Sequence, residues 1–295
     1  MVLCIFNPEH DLCLANGRAH YVPPHSAIDF ARRDAGIMRT LYPGSHCCSA
    51  YDLPSFASTS QKDPFHAGLE PVTEVVAWGW NVVLKQALLK HGIEERLLPT
   101  DDAIDTIREL QHRSTVLPLQ PDCHAVFSVE EMDGLLTEGG NWVMKAPWSG
   151  AGRGLHWVCG CLTPHDKDWM AKTIASQRCI IAEPRRAVVA NVALEYKGCL
   201  FIGYSYFTTG SGVYKENIYW TDERIENTFP LLPVRERIEY WLEANIWPRY
   251  QGPLGVDLMV CADGEVHVAE INYRHTMGMV AHEKIIQGDN CRVDI

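Results

Sequence analysis

The chain has 295 residues, with 26 Lys plus Arg against 37 Asp plus Glu and a formal net charge of −11 with His neutral. Apolar residues at 46% and charged residues at 21% are ordinary globular values, which excludes disorder as the general state and leaves room for one large or two medium domains with a real core. The acid excess gives no electrostatic reason to hold a phosphate backbone or an anionic membrane surface, and no apolar run approaches the ~20 residues of a span, so no nucleic acid and no membrane is expected as a partner.

The first residues, Met1-Val2-Leu3-Cys4-Ile5-Phe6-Asn7, have no basic region and too short an apolar stretch for a signal peptide. They read as a buried strand that stops at Asn7-Pro8. A polar loop from Asn7 to Ser26 follows, then a helical stretch from about Ala27 to Leu41. The segment Asn7-Pro8-Glu9-His10-Asp11 comes directly after the strand end, where open α/β sheets place binding groups. The competing reading is a turn network in which Asn and Asp satisfy backbone groups. Segment 45–70 is turn-rich and says little.

A second strand is expected within Val72 to Trp80, followed by a helix from Asn81 to His91 with Val82, Val83, Leu88 and Leu89 on one face and Gly92 ending it. Another helix starts at a Thr100 or Asp101 cap, with Ile104, Ile107 and Leu110 in register. Strands separated by helices of this length favour an α/β sheet for the first hundred-odd residues. Beyond His112 the pattern changes. Strands are expected at 142–145, 155–158, 180–182, 188–196, 199–207 and 218–220, a helix at about 233–247, and a final pair at 255–260 and 265–271 around Ala262-Asp263-Gly264. The second part is thus α+β and mainly antiparallel.

Eleven cysteines are scattered along the chain with no C-x-x-C, so a structural zinc site has no spacing to support it, and buried free thiols in a reducing cytoplasm are the expectation. The histidines, among them His20, His25, His46 and His66, follow no metal spacing either.

Three motifs carry chemistry. Lys145-Ala146-Pro147-Trp148-Ser149-Gly150-Ala151-Gly152-Arg153-Gly154 contains a G-x-G-x-G core. A dinucleotide fingerprint needs a helix directly after its glycines, and here a strand is expected; no G-K-[ST] follows. Strand, glycine loop and returning strand suit a flap whose backbone N–H groups close over a triphosphate, with Lys145 as a point charge on it. A plain hairpin with a solvated Lys is the alternative.

The second motif is Gly255-Val256-Asp257, Gly264-Glu265 and Glu270-Ile271-Asn272-Tyr273-Arg274. Glu270 and Asn272 are two apart and share a strand face, and a two-residue turn at Asp263-Gly264 sets Asp257 opposite Glu270. Two carboxylates and an amide oxygen form the hard, oxygen-only set that Mg²⁺ takes when it also bridges phosphates. Arg274 could stabilise charge on a transferring phosphoryl group. An exposed polar hairpin face is the alternative, disfavoured because Val256, Leu258, Val268 and Ile271 mark the other face as core. The third motif, Ile180-Ile181-Ala182-Glu183-Pro184, with Glu195 on the next strand, could line an adenine or ribose pocket or be a surface acid after an edge strand.

In this order and spacing the three motifs resemble the ATP-grasp superfamily, over roughly residues 100–282. The resemblance implies an α/β N-terminal domain followed by an α+β ATP-grasp fold, two subdomains with mainly antiparallel sheets clasping the nucleotide. It divides the chain into a substrate domain over 1–110, a lid subdomain over 111–185 and a catalytic subdomain over 186–295. It also implies an ATP-dependent ligase joining a small carboxylate to an amine through an acyl phosphate.

By the same resemblance, Lys145, Ser149, Gly150, Gly152, Arg153, Gly154 and Glu183 hold the nucleotide, and Arg113 takes the place of an upstream lysine. Asp257, Glu270 and Asn272 hold one or two Mg²⁺ ions, with Mn²⁺ as a substitute, and Arg274 meets the γ- or acyl phosphate. Asn7, His10, Asp11 and Asn16 lie where the fold places acceptor-substrate contacts. Tyr273 stands in place of the usual Pro, and His275-Thr276-Met277-Gly278 departs from the D-alanine-ligase ending, which leaves the substrate class open. A small-molecule kinase of the same fold and a non-catalytic nucleotide-binding module are the competing functions, and a homodimer stays open.

Overall fold

The structure is a computed structural model that describes residues 1–54, 71–137, 139–150, 154–210, 212–288 and 293–294. It falls into two compact units, Met1–Arg108 and Glu109–Ile295. In the first unit β1 (Val2–Phe6) is followed by α1 (His10–Asn16), α2 (His25–Asp34), a 3-10 turn, α3 (Met38–Leu41) and β2 (His46–Ser49). Then come β3 (Glu74–Ala77), α4 (Val82–Lys90) and α5 (Asp101–Leu110), whose last turn carries the division between the units.

The three strands form a parallel sheet in the order β2-β1-β3, so β1 is central and covered on both faces. Leu3 and Ile5 pack on Leu84 and Leu88 of α4 on one side. On the other, Phe6 meets Phe30 and Trp78 edge to face. The expected polar loop after β1 contains a helix, α1. Its Cys13 and Leu14 are buried, and that apolar contact outweighs the local turn chemistry. Asn81 caps α4 by accepting from Leu84 N at 3.0 Å, and Thr100 Oγ1 accepts from Ala103 N at the start of α5.

The second unit holds two antiparallel sheets. One has four strands in the order β4-β7-β5-β6 and is built from β4 (His124–Val126), β5 (Asn141–Lys145), β6 (Leu155–Cys159) and β7 (Ile180–Pro184). The helices α6 (Val129–Thr137) and α7 (Pro164–Gln177) cover it, around Met132, Met144, Met170 and Ile180. The other has six strands, β8 (Val188–Lys197), β9 (Leu200–Gly210), β10 (Val213–Ile218), β11 (Pro253–Cys261), β12 (Val266–Asn272) and β13 (Val293–Asp294), in the order β12-β11-β8-β9-β10-β13. Helices α8 (Asp222–Thr228), α9 (Leu232–Asn245) and α10 (Met277–Ile286) accompany it.

The expected strand at 218–220 ends at Ile218. Trp220 leaves the ladder to stack on Tyr206 at 4.6 Å, with the Arg224 guanidinium 3.9 Å from its ring centre.

Among the described cysteines all are free thiols, but Cys159, Cys161 and Cys199 are exposed, which corrects the expectation of uniform burial. Cys159 and Cys161 flank a turn at Gly160, whose φ of 76° turns the chain away from the sheet. Among the described residues no helix is long and apolar enough to cross a membrane.

Candidate functional site

The C-terminal hairpin sets the geometry. Asp257 pairs with Glu270 and Gly255 with Asn272, as the sequence register predicts, but by a different route. Leu258 pairs with Val268, so Ala269 is an extra residue on β12. Nearer the tip, Cys261 N donates to Glu265 O and Gly264 N to Cys261 O, closing a three-residue turn with Gly264 at φ 88°. A turn one residue longer than expected and a bulge offset each other. The carboxylates therefore meet where a regular two-residue hairpin would have put them.

Ladder neighbours extend the row across the sheet. Gly255 also pairs with Glu195, and Glu195 with Gly203; Asp257 pairs with Ala193, and Ala193 with Ser205. Paired residues share a face. One face thus carries Glu195, Asp257, Glu270 and Asn272, with Gly203, Gly255 and Ala193 leaving space between them. The opposite face, with Val256, Leu258, Val268 and Ile271, is core.

Asn272 Nδ2 donates to Asp257 Oδ2 at 3.2 Å. Burial pushes the Asp257 carboxyl well above its usual range, Glu270 and Glu195 push it further, and Arg274 and Asn272 act against the rise. Glu195, wholly buried, is raised to about 7 by burial, against the hydrogen bonds of Thr276 and Ser205 and the charges of His282 and Arg274. Arg274 Nη1 also donates to His275 O at 3.1 Å.

Arg113 is buried between the glycine loop and the hairpin. Its Nη1 donates to Ala146 O at 2.6 Å and to Ser149 Oγ; its Nη2 donates to Ser149 O at 2.9 Å and to Glu270 Oε2. Gln111 and Gln120 fix the same segment to β12. Gln111 Nε2 donates to Ile271 O, its Oε1 accepts from Tyr273 N, and Gln120 Nε2 donates to Val268 O at 2.6 Å. Neither glutamine was singled out in the sequence, because an isolated Gln carries no motif.

Lys145 and Glu183 sit diagonally across the β5–β7 ladder, where Val143 faces Glu183. Lys145 Nζ donates to Glu183 Oε2 at 2.8 Å, both buried, and Cys123 Sγ lies 3.9 Å from the same oxygen. Glu183 is therefore neither a surface acid nor on an edge strand. The loop after Lys145 closes where Ala146 N donates to Gly154 O at 2.9 Å, and β6 follows directly, so a strand and not a helix succeeds the glycines. Ser149 and Gly150 are half-buried. Gly152 and Arg153 lie outside the described residues.

In the first unit, Asn7, His10 and Asp11 gather at the C-terminal end of β1 and are buried. Asn7 Nδ2 donates to Gly79 O at 2.8 Å and its Oδ1 accepts from Gly79 N, so its amide joins the ends of β1 and β3. His10 Nδ1 lies 3.3 Å from Asn81 Nδ2. Asn16, the last residue of α1, is exposed and apart from them. Glu9, not singled out in the sequence, accepts from Tyr51 OH at 2.8 Å and is raised to about 7, chiefly by burial.

No family model matches the sequence, and no curated protein matches it. Solved structures match in fold. The N5-carboxyaminoimidazole synthetase of Staphylococcus aureus, complexed with ADP, is 13% identical, with a TM-score of 0.51 and 93% of this chain and 70% of that one covered. D-cycloserine synthetase DcsG is 11% identical, with a TM-score of 0.56 and 99% and 100% covered. D-alanyl-alanine synthetase A of Vibrio cholerae is also 11% identical, with a TM-score of 0.54 and 99% and 95% covered. At these identities the likeness is one of fold. The chain has the ATP-grasp fold: a parallel N-terminal sheet followed by antiparallel sheets.

Proposed function

We propose that the chain is a Mg-ATP-dependent ligase that joins a small carboxylate to an amine through an acyl phosphate. The observation that carries this reading is the sheet face on which Asp257, Glu270 and Asn272 stand together, with Arg113 on Glu270 and the charge of Arg274 acting on Asp257. The neighbouring Glu270 charge raises the proton affinity of Asp257, a strain that a cation relieves, and the donors are all oxygens once the Asn272 amide turns its Oδ1 inward. Among the described residues no group of three or more His, Cys, Asp or Glu could hold a metal unaided. Two carboxylates and an amide still fit Mg²⁺, which keeps waters and takes further oxygens from phosphates, and Mn²⁺ fits the same donors.

Asp257, Glu270 and Asn272 would hold the metal, which would supply charge neutralisation to the phosphates. Lys145, buried and hydrogen-bonded to Glu183, offers its ammonium to a phosphate oxygen. Ser149, Gly150, Gly152, Arg153 and Gly154 lay backbone N–H groups over the phosphates. Arg113, already joined to both the loop and Glu270, adds positive charge to the same place. Arg274 steadies the transferred phosphoryl group and then the acyl phosphate, from which the amine displaces phosphate. Positioning and charge neutralisation supply the catalysis, so no side-chain nucleophile is needed.

The division into a substrate domain (1–110), a lid (111–185) and a catalytic subdomain (186–295) belongs to the same proposal, as do acceptor contacts from Asn7, His10, Asp11 and Asn16 and a cytoplasmic setting.

The test is ADP release against panels of small carboxylates paired with amines. Release that needs both partners supports the ligase, whereas release with an alcohol and no amine identifies a kinase. Asp257→Ala and Glu270→Ala are expected to lower the rate by about 100-fold or more. If Mg-ATP gives no thermal shift and both variants keep full activity, the reading fails.

A further inference from the structure

Glu195 shares the sheet face of Asp257, Glu270 and Asn272, yet the steps above do not use it. Both its oxygens are taken. Oε1 accepts from Ser205 Oγ at 2.9 Å and Oε2 from Thr276 Oγ1 at 2.7 Å. Each oxygen of this wholly buried carboxylate thus accepts from a hydroxyl of another element.

The two hydroxyls come from different elements. Ser205 is on β9, and Thr276 is the N-cap of α10, where its Oγ1 also accepts from Met279 N at 3.1 Å. Two glycines allow this approach. A Cβ on Gly278 would collide with Glu195 Oε1 and Ser205 Oγ, and one on Gly255 would lie 2.6 Å from Thr276 Cγ2 and 3.1 Å from Glu195 Oε2. Helix α10 and strand β11 thus close on the carboxylate from two directions because neither carries a side chain there.

Thr276 stands two residues after Arg274 and four after Asn272. The connector between β12 and α10 is therefore held by Gln111 at Tyr273 N at one end and by the Thr276–Glu195 bond at the other. The charge of Arg274 acts on Glu195 as well as on Asp257.

We infer that Glu195 is a positioning residue: through Thr276 it anchors the 273–276 connector and so sets where the Arg274 guanidinium stands beside Asp257. Only the role of Arg274, a grip on the terminal phosphate, rests on the ligase reading.

Two measurements keep the inference and that reading apart. The first is hydrogen exchange at the amides of 273–279 in the ligand-free full chain. Glu195→Gln and Thr276→Val are expected to speed exchange there at least tenfold, and Thr276→Ser, which keeps the hydroxyl, to leave it within twofold of the parent. Unchanged exchange in both Glu195→Gln and Thr276→Val overturns the anchoring, whether or not nucleotide binds. If Glu195→Gln does not fold, Thr276→Val alone decides.

The second is the ratio of the Kd for Mg-ADP to that for Mg-ATP by calorimetry, which isolates the grip on the terminal phosphate. Glu195→Gln is expected to reduce the ratio at least fivefold in the parent and less than twofold in Arg274→Lys, since both changes act on one group. Independent, multiplying effects overturn the link to Arg274. A parent chain that binds neither nucleotide overturns the ligase reading and leaves the exchange result to decide the anchoring.

Discussion

Arg113 joins Ala146, Ser149 and Glu270 through one planar guanidinium. Removing it leaves the Glu270 carboxylate, 20% exposed, without its counter-charge. Arg113→Ala should therefore cost about 3 kcal/mol in urea unfolding, the lower end of the range for breaking a buried pair. Arg113→Lys should cost less but still lose the bridge, because an ammonium cannot span the loop and the hairpin as a fork does. The Lys145–Glu183 pair permits a sharper separation of structure from function. Lys145→Met leaves a buried carboxylate without its ammonium partner, so Lys145→Met with Glu183→Gln should be more stable than Lys145→Met by itself, while ADP release is expected to be lost in both. Glu9 gives a pH signature. It faces Tyr51 OH, with Asp11 and His10 beside it on α1 and Cys13 a turn further on. Its folded-state pKa of about 7 lies above the ordinary value of 4.5, so the folded chain holds that proton more tightly between these two values. The contribution of this group to stability is then fully present below pH 4.5 and falls as the pH rises toward 7, by at most about 3 kcal/mol. In Glu9→Gln that part of the fall should vanish, read as the difference in melting temperature between parent and variant across pH 4.5–7.5.

At the level of elements, what the sequence made legible follows from how local each cause is. Helix α4 was readable because Asn81, the apolar stripe and Gly92 all lie within a dozen residues. The pairing of Asp257 with Glu270 was readable because one turn separates the strands, although the bulge at Ala269 left no mark in the sequence and was offset only by the longer turn. Helix α7 was missed despite a local signal, the Thr163-Pro164-His165-Asp166 capping box, which the structure shows complete. Thr163→Ala should cost about 1 kcal/mol, measurable in chemical denaturation. Strand β2 lay in a turn-rich segment, and its pairing with β1 is a contact across some forty residues that no local pattern announces. The sequence names Glu195 only as a candidate lining of an adenine or ribose pocket, and its place beside Asp257 shows only when β8 is laid beside β11. Gly278→Ala tests that arrangement from the other side. Its Cβ has no room against Glu195 and Ser205, so the variant should lose well over 1 kcal/mol even though Ala favours helix in general.

For the molecule as a whole, the charge of −11 is compatible with the proposed phosphate ligand because the buried Lys145 and Arg113 act locally. Mg-ATP at 100 times its Kd should stabilise the folded chain by about 2.7 kcal/mol, seen as a rise in melting temperature that EDTA abolishes. The exposed thiols at Cys159, Cys161 and Cys199 bear on quite another matter, the handling of the purified chain. Among the described residues, exposure makes them sites at which air oxidation starts, and two of them flank a single turn. A sample aged without reductant is expected to accumulate covalent adducts. Twofold mass on a sizing column that dithiothreitol removes is then an oxidation product, and only a dimer that survives the reductant is a property of the fold.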